Sequence, residues 1–180
     1  MKSDEQLVEA ARKGSSAAFG ELVGRHQRSL LRFLLTRCAS HADAEDVLQD
    51  TFVNAYRYLA SYNPRWRFST WLYRIAIRNA AKLHTPDVAE IGDLRDEEGD
   101  PLQQCIADSD TENLWLSARR TLTNEVFTAM WLRYAEDMSV NDISTTLDRS
   151  VSWTKVNLMR GRRALEAQLN GAADQSEAYG

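Results

Sequence analysis

The chain has 180 residues, of which 43% are hydrophobic and 27% charged, values that suit one mid-sized soluble domain or two small ones. Its eight glycines and three prolines are too few for the many turns of an all-β sandwich or barrel, so the composition favours helices. The formal net charge of −4 speaks, for the chain as a whole, against a nucleic-acid-binding protein, whose domains are usually basic.

Cysteine usage and hydropathy favour a location in the cytoplasm. Two cysteines, Cys38 and Cys105, are too few for a disulfide framework, which favours a reducing compartment. Residues 1–6 are polar, unlike a signal peptide, and no stretch approaches the roughly 20 apolar residues of a membrane helix. We therefore expect a soluble, cytoplasmic protein with no direct membrane insertion.

Four amphipathic helices are predicted over residues 1–83. They begin near Ser3, Ala17, Ser40 and Ser69, where three serines can act as caps. The apolar stripes assign Phe19 of the second helix and Tyr56 of the third to the core. Pro64 separates the third helix from the fourth, because the residue before a proline avoids helical backbone angles.

Residues 84–113 are predicted to form a flexible acidic linker. This segment holds ten acidic residues and one basic residue, so its formal charge is −9 and the rest of the chain carries +5. It also contains two prolines and two glycines, and it shows little helical period. The negative net charge of the chain therefore comes from this segment, and the two lobes that flank it carry a net positive charge between them. The net charge no longer argues against nucleic-acid binding by these lobes.

Residues 114–169 are predicted to form a second helical lobe, which ends in the proportions of a helix-turn-helix. The predicted helices cover about 112–122, 124–134, 139–147 and 151–169. The last two combine a short helix, a tight turn and a longer basic helix, as helix-turn-helix motifs do. The tail of residues 170–180 is small and polar, and we expect it to be disordered.

A cluster of basic and aromatic residues lies at positions 65–82. It holds five basic groups, four aromatic residues and no acidic residue. Cations contact phosphates, and aromatic faces can stack on unpaired bases at roughly 1–3 kcal/mol each. Arg74, Arg78 and Lys82 recur every four residues and so share one helix face. The alternative is that the aromatic residues belong to the core and the arginines to a solvated face.

The last predicted helix has a second basic surface. From residue 151 to residue 165 it carries four basic residues and no acidic residue. Ser152, Trp153, Lys155 and Val156 near its start are placed to face base edges in a major groove, with Arg160, Arg162 and Arg163 on phosphates. The alternative is an ordinary amphipathic helix whose cations complement the dipole at its C-terminal end.

An acidic ridge is predicted on the third helix. Asp46, Gln49, Asp50 and Val53 follow one another at spacings of three and four residues, so they share one face. Acids on an amphipathic helix usually form a solvated face, but this ridge can also dock on a basic partner helix.

Catalytic and metal-binding motifs are absent from the sequence. His26, His41 and His84 are isolated, and no zinc-protease or di-iron helix motif includes them. Cys38 and His41 have the spacing of two metal ligands, but no second pair accompanies them. We therefore expect neither an enzyme nor a metal site.

Two motifs of this chain closely resemble a known family. Residues 43–52 (DAEDVLQDTF) and 68–76 (FSTWLYRIA) resemble conserved region 2 of bacterial sigma factors, in particular the extracytoplasmic-function (ECF) group of the sigma-70 family. Residues 132–162 resemble region 4 of the same family. The order of the two lobes and the intervening linker agree with this resemblance, which covers essentially residues 5–168.

The resemblance implies an all-α fold with two small helical domains. Residues 1–83 are expected to form a four-helix region 2-like domain and residues 114–169 a helix-turn-helix region 4-like domain, joined by the acidic linker of residues 84–113. The implied function is that of the promoter-specificity (sigma) subunit of bacterial RNA polymerase, which needs no cofactor. The implied partners are core RNA polymerase, through its β′ clamp helices and β flap, an anti-sigma factor, and promoter DNA that is double-stranded at the −35 element and single-stranded at the −10 element.

The resemblance also implies roles for individual residues. The expected polymerase-binding residues are Asp46, Gln49, Asp50 and Val53. The residues expected at the −10 element are Asn63, Arg65, Trp66, Arg67, Phe68, Trp71, Arg74, Arg78 and Asn79. The residues expected at the −35 element are Ser150, Ser152, Trp153, Lys155, Val156, Arg160, Arg162 and Arg163.

Two alternatives remain open at this point. One is a stand-alone helix-turn-helix regulator that binds duplex DNA without polymerase, although such a protein has no need of the acidic ridge. The other is a sigma-like interaction adaptor that binds partners but directs no transcription from promoters.

Overall fold

The computed structural model describes residues 1–83 and 110–177. The chain divides into two compact units, Met1–Cys105 and Ile106–Gly180. Over the described ranges, helices are the regular structure and no strand is present, so the predicted all-α fold is confirmed. Of the predicted acidic linker, residues 84–109 lie outside the described residues.

The first unit contains four helices and one short 3-10 turn in its described part. They are α1 (Asp4–Arg12), α2 (Ser16–Leu35), α3 (His41–Arg57), the 3-10 turn (Leu59–Ser61) and α4 (Phe68–Leu83). The predicted serine caps are present at Ser3 and Ser40, whose hydroxyls accept hydrogen bonds from Gln6 N and Asp43 N. These caps satisfy amide groups that the first helical turn leaves without partners.

The core of the first unit lies where α2 contacts α3 and α4. Leu22, Leu30 and Phe33 of α2 are fully buried, as are Leu72 and Tyr73 of α4. The rings of Phe33 and Tyr73 meet edge to face with their centroids 5.1 Å apart. Burial of each such side chain contributes about 1.5–3 kcal/mol, so this interface holds α4 firmly against α2.

Helix α1 is fixed to α2 by a charged cluster. Asp4 Oδ1 accepts a hydrogen bond from Arg25 Nη1 at 2.8 Å, and Asp4 Oδ2 lies 2.6 Å from His26 Nε2. Burial alone raises the pKa of Asp4, but the hydrogen bonds from Arg25 and His26 outweigh it, and the pKa lies below its ordinary value. The carboxylate therefore stays ionised and ties the two helices together.

The second unit contains four helices in its described part. They are α5 (Asp110–Thr121), α6 (Asn124–Tyr134), α7 (Val140–Leu147) and α8 (Val151–Glu177). Three aromatic side chains form the centre of its core, with the ring centroids of Trp115 and Trp131 4.9 Å apart and those of Trp115 and Phe127 5.8 Å apart. Gly161 allows α8 to approach α6 closely, because a Cβ there would meet the Met130 side chain at 2.9 Å.

A tight turn joins α7 to α8. The Ser139 hydroxyl caps α7 by accepting a hydrogen bond from Asp142 N at 3.1 Å. The helix ends at Asp148, whose φ of 55° is left-handed, a conformation that Asp tolerates better than most residues. The Ser150 hydroxyl then accepts a hydrogen bond from Trp153 N at 3.1 Å, and α8 begins. This short helix, turn and long helix have the predicted helix-turn-helix form.

The last helix continues further than the sequence pattern predicts. Residues 170–180 are predicted to be disordered, but α8 extends to Glu177, and residues 178–180 lie outside the described part. Alanine, glutamine and glutamate have high helix propensity and are frequent in this segment, so the single Gly171 does not end the helix. None of the helices described combines the length and apolar character needed to cross a membrane.

Candidate nucleic-acid and protein interfaces

The acidic ridge of α3 is an exposed face. Asp46, Gln49 and Asp50 are exposed, and Val53 keeps 47% of its surface accessible. The opposite face of α3 is buried, with Val47 and Thr51 among its core residues, so the packing fixes the orientation of the ridge. Within residues 1–83 and 110–177, neither carboxylate of the ridge forms an ion pair. The four predicted residues therefore form one free surface that is acidic at one end and apolar at the other.

An open apolar groove between α2 and α3 borders this ridge. Its volume is about 720 Å³. It is lined by Phe19, Val23, Gln27, Glu45, Leu48, Gln49, Phe52, Val53, Tyr56 and Arg57. Gln49 and Val53 belong to both the ridge and the groove, so the two surfaces are continuous. The sequence pattern predicts Tyr56 in the core, but its ring is 52% exposed and stands edge-on to Phe19 at 4.9 Å.

The basic cluster occupies the loop before α4 and the outer side of that helix. Arg65, Arg67 and Arg78 are exposed, and the indole of Trp66 is 39% exposed. Trp71 and Arg74 are half-buried. The predicted positions therefore present an aromatic face between two arginines, followed by arginines along one helix.

The loop itself is shaped by Asn63. Its side-chain Oδ1 accepts a hydrogen bond from Arg65 N at 3.0 Å, and its main-chain carbonyl accepts one from Trp66 N at 3.1 Å. Asparagine commonly bonds the main chain two residues further on in turns. Asn63 is exposed, but its side-chain and main-chain oxygens both accept hydrogen bonds within the turn that carries Trp66.

Two residues predicted at the −10 surface are buried instead. Phe68 is 1% exposed, and its ring packs against those of Tyr62 and Trp71 at 5.9 and 5.8 Å. Asn79 is 9% exposed, and its amide donates to Thr51 Oγ1 at 3.3 Å and accepts from Asn54 Nδ2 at 3.4 Å. In the chain without DNA, ring packing thus occupies the Phe68 side chain and hydrogen bonds to α3 occupy that of Asn79, and direct DNA contact by these two residues stays a prediction.

The exposed side of α8 carries the remaining predicted residues. Ser150, Ser152, Lys155, Val156, Arg160, Arg162 and Arg163 are all exposed. The opposite stripe of the helix is buried, and Thr154 and Leu158 belong to it. Trp153 is half-buried, and the guanidinium of Arg149 lies 5.5 Å from its ring centroid. Because residues three and four apart share a helix face, α8 presents a continuous basic surface that begins at the turn.

The expected absence of a metal site stays a prediction. In residues 1–83 and 110–177, no cluster of three or more His, Cys, Asp or Glu side chains is present. Cys38 is buried and belongs to no disulfide, and His41 lies near Glu45, with 3.7 Å between Nδ1 and Oε2.

An all-helical chain with a helix-turn-helix, basic surfaces on α4 and α8 and an exposed acidic ridge on α3 has features typical of the class that includes transcription initiation factors. Comparison with known proteins then gives the family. The sequence signature of sigma-70 region 2 matches residues 22–85. The ECF RNA polymerase sigma-E factor of Haemophilus influenzae is 30% identical over 93% of this chain and 95% of that protein. The RNA polymerase sigma-H factor of Pseudomonas aeruginosa is 30% identical over 93% of this chain and 94% of its own length.

Solved structures agree with these relatives. CnrH, solved in complex with the cytosolic domain of CnrY, shares 25% identity and a TM-score of 0.71 over 94% of this chain and 99% of that chain. RpoE of Bartonella quintana, solved with the anti-sigma factor NepR, has the same fold, with 19% identity and a TM-score of 0.61 over 84% of this chain and 96% of its own. The chain belongs to the ECF group of the sigma-70 family. It is thus an RNA polymerase sigma factor, as predicted, and sigma factors are transcription initiation factors without enzymatic activity.

Proposed function

We propose that the two units divide promoter recognition between them. The region 2-like domain of residues 1–83 docks on polymerase and opens the −10 element, and the region 4-like domain of residues 114–169 binds the −35 element. The observation that carries this assignment is the separation of charge: the acidic ridge lies on α3, and the basic surfaces lie on α4 and α8. A surface that binds DNA needs positive charge, and an acidic ridge suits a basic protein partner, and the chain carries these two kinds of surface on different helices.

The acidic ridge docks on the β′ clamp helices of core polymerase. Asp46 and Asp50 supply charge, and Gln49 and Val53 carry the contact toward the apolar groove between α2 and α3. Fully desolvated apolar contacts near the centre of an interface contribute most of its binding energy, and exposed charges mainly set rate and register. Tyr56 and Phe19 in the groove therefore extend the predicted interface.

The loop before α4 captures an unpaired base of the −10 element. Flipping a base out of the duplex costs a few kcal/mol, and stacking on Trp66 returns roughly 1–3 kcal/mol. Arg65 and Arg67 flank the indole and neutralise phosphates, and Arg74 and Arg78 follow the strand along α4. Trp71 is half-buried and forms the floor of this surface, and the buried ring of Phe68 packs against it.

Helix α8 enters the major groove of the −35 element. Ser152, Lys155 and Val156 near its start face base edges, where sequence is read. Ser150 caps the first turn of this helix, and the ring of Trp153 in that turn packs against the guanidinium of Arg149. The arginines at positions 160, 162 and 163 hold phosphates further along the helix.

Further partners follow from the family. The chain acts in the cytoplasm as a non-enzymatic subunit, and the polymerase supplies the catalysis. CnrH and RpoE were each solved with a protein partner, and we expect this chain likewise to bind an anti-sigma factor. An apolar cavity of about 330 Å³ in the second unit, lined in part by Trp115, Tyr134 and Leu165, suits the β flap of the polymerase.

Two exposed residues of the first unit separate these roles experimentally. Asp50→Ala should lower affinity for core polymerase, measured by competition titration against another sigma factor. Arg78→Ala should leave that affinity unchanged and slow promoter opening, measured by permanganate reactivity of the −10 thymines. Equal loss of core affinity in both variants would contradict the assignment. So would tight sequence-specific binding of duplex DNA by the free chain, which is the behaviour of a stand-alone regulator.

A further inference from the structure

Arg12, at the end of α1, reaches a segment of the main chain that lies 47 to 50 residues further along the sequence. Its Nε donates to the carbonyl of Leu59 at 3.1 Å, and its Nη2 donates to that of Ala60 at 3.3 Å and to that of Tyr62. These carbonyls belong to the 3-10 turn and to the first residue after it. One side chain of α1 thus fixes the chain at the point where the loop before α4 begins.

The guanidinium is the group suited to this task. It presents five N–H donors in a rigid fork and accepts no hydrogen bond, so it can bind several carbonyls at once. Its plane also lies over the ring of Tyr62, with 5.7 Å between Cζ and the ring centroid. A lysine has a single nitrogen and cannot reproduce this set of contacts.

Tyr62 transmits this anchor into the loop. Its side chain is 3% exposed, and its ring packs against Phe68 and Trp71 at 5.9 and 5.5 Å. Its hydroxyl donates to the carbonyl of Trp66 at 2.5 Å. Burial raises the pKa of Tyr62 to about 12, so the hydroxyl keeps its proton and remains a donor at physiological pH. Tyr62 therefore holds the loop at Trp66 through its hydroxyl and is itself held by Arg12.

We propose that Arg12 is a positioning residue for promoter opening, which acts through Tyr62 to hold residues 62–67 in one conformation before DNA arrives. The inference rests on the proposed role of this loop in capturing an unpaired base. Ordering a loop residue on binding costs roughly 1–2 kcal/mol. A loop ordered in advance does not pay that cost, and the binding of the flipped base is correspondingly stronger. Arg12 bonds to the 3-10 turn, to Tyr62 and to Glu9, and it has no hydrogen bond or ion pair with Trp66 or with the acidic ridge, so we expect its effect on promoter opening to arise at the loop.

The first experiment measures the loop in the full-length chain without DNA. Backbone ¹⁵N relaxation should give rigid order parameters of about 0.8 for residues 63 and 65–67 in the unsubstituted chain, and values below about 0.6 in Arg12→Gln; Pro64 has no N–H and gives no signal. Arg12→Lys should restore them only in part, because it keeps the charge and loses the fork. Arg25→Gln is the matched control, since Arg25 also ties α1 to the unit, through Asp4 and the carbonyl of Lys2, but has no contact with the loop. Equal loosening by Arg25→Gln, or an unchanged loop in Arg12→Gln, would overturn the proposal.

The second experiment measures transcription with core polymerase. Arg12→Gln should slow promoter opening about tenfold and leave core affinity unchanged, because the three carbonyls that lose their anchor lie next to the DNA-capturing loop and outside the acidic ridge. Tyr62→Phe should show the same pattern more weakly. A loosened loop with an unchanged opening rate would refute the positioning role. If the unsubstituted chain directs no promoter-dependent transcription, the proposed function fails, and the relaxation experiment still decides whether Arg12 orders the loop.

Discussion

Asn79 and Arg78 are neighbours in α4, and the structure places their side chains in opposite environments. Arg78 is exposed, but Asn79 is buried and bonded to Thr51 and Asn54 of α3. Replacing Asn79 with Ala removes both hydrogen bonds and leaves the Asn54 amide without its α4 partner. Such bonds contribute about 0.5–1.5 kcal/mol each, and the higher helix propensity of Ala returns several tenths. We therefore expect Asn79→Ala to destabilise the first unit by about 1–2 kcal/mol.

The assay must report on the first unit alone, because the chain divides into two. Native-state hydrogen exchange of the slowest amides of α3 and α4 gives the free energy of opening of this unit. Arg78→Ala is the matched control and should change that free energy by no more than about 0.5 kcal/mol, as surface substitutions usually do. In promoter opening the order should reverse: Arg78→Ala slows it, and Asn79→Ala has little effect at temperatures where the unit stays folded. An Asn79→Ala variant of unchanged stability that fails to open the promoter would refute this reasoning.

Three further predictions concern other surfaces. Tyr56→Ser should lower affinity for core polymerase about tenfold in a competition titration, because it removes an exposed ring from the groove, and unchanged affinity would exclude the groove from the interface. Arg160→Ala should reduce the dependence of log K on log salt by about 0.9 for holoenzyme on duplex −35 DNA, and an unchanged slope would show that Arg160 holds no phosphate. Because the folded pKa of Asp4 lies below the ordinary 3.8, its ionised form stabilises the fold above pH 3.8, and this contribution is lost as pH falls through the folded pKa. With Asp4→Asn, the melting temperature should therefore fall less steeply as the pH drops below 3.8. An equally steep fall in both chains would contradict the role of this carboxylate.

The helices could be predicted from sequence because their signals are local. Ser3, Ser40 and Ser139 each cap a helix, and each lies within a few residues of the apolar stripe of its own helix. The exposure of Asp46 and Asp50 follows from the same pattern, since the stripe that buries Val47 turns these carboxylates outward. The extension of α8 to Glu177 was missed, because small polar residues indicate a tail by composition and a helix by propensity.

The individual roles of clustered residues could not be predicted, because they depend on tertiary packing. Trp66 and Phe68 are two positions apart in one basic cluster, and the packing of Phe68 against the rings of His26, Tyr62 and Trp71 decides which of the two is buried. The burial of Asn79 becomes visible only when Thr51 of α3 is placed opposite it. The contact of Arg12 with a loop some 50 residues away has no signal in a single sequence, since nothing local marks an arginine as a ligand of remote carbonyls.

Mapping of transcription start sites on genomic DNA, with purified core polymerase and the full-length chain, shows whether the chain selects promoters. We expect start sites that are absent with core polymerase alone and are preceded by a shared pair of −10 and −35 sequences. Asp50→Ala should reduce all of these start sites together, and Lys155→Ala should redistribute them among promoters according to the −35 sequence. Start sites identical to those of core polymerase alone would contradict the account and favour a sigma-like adaptor that directs no transcription.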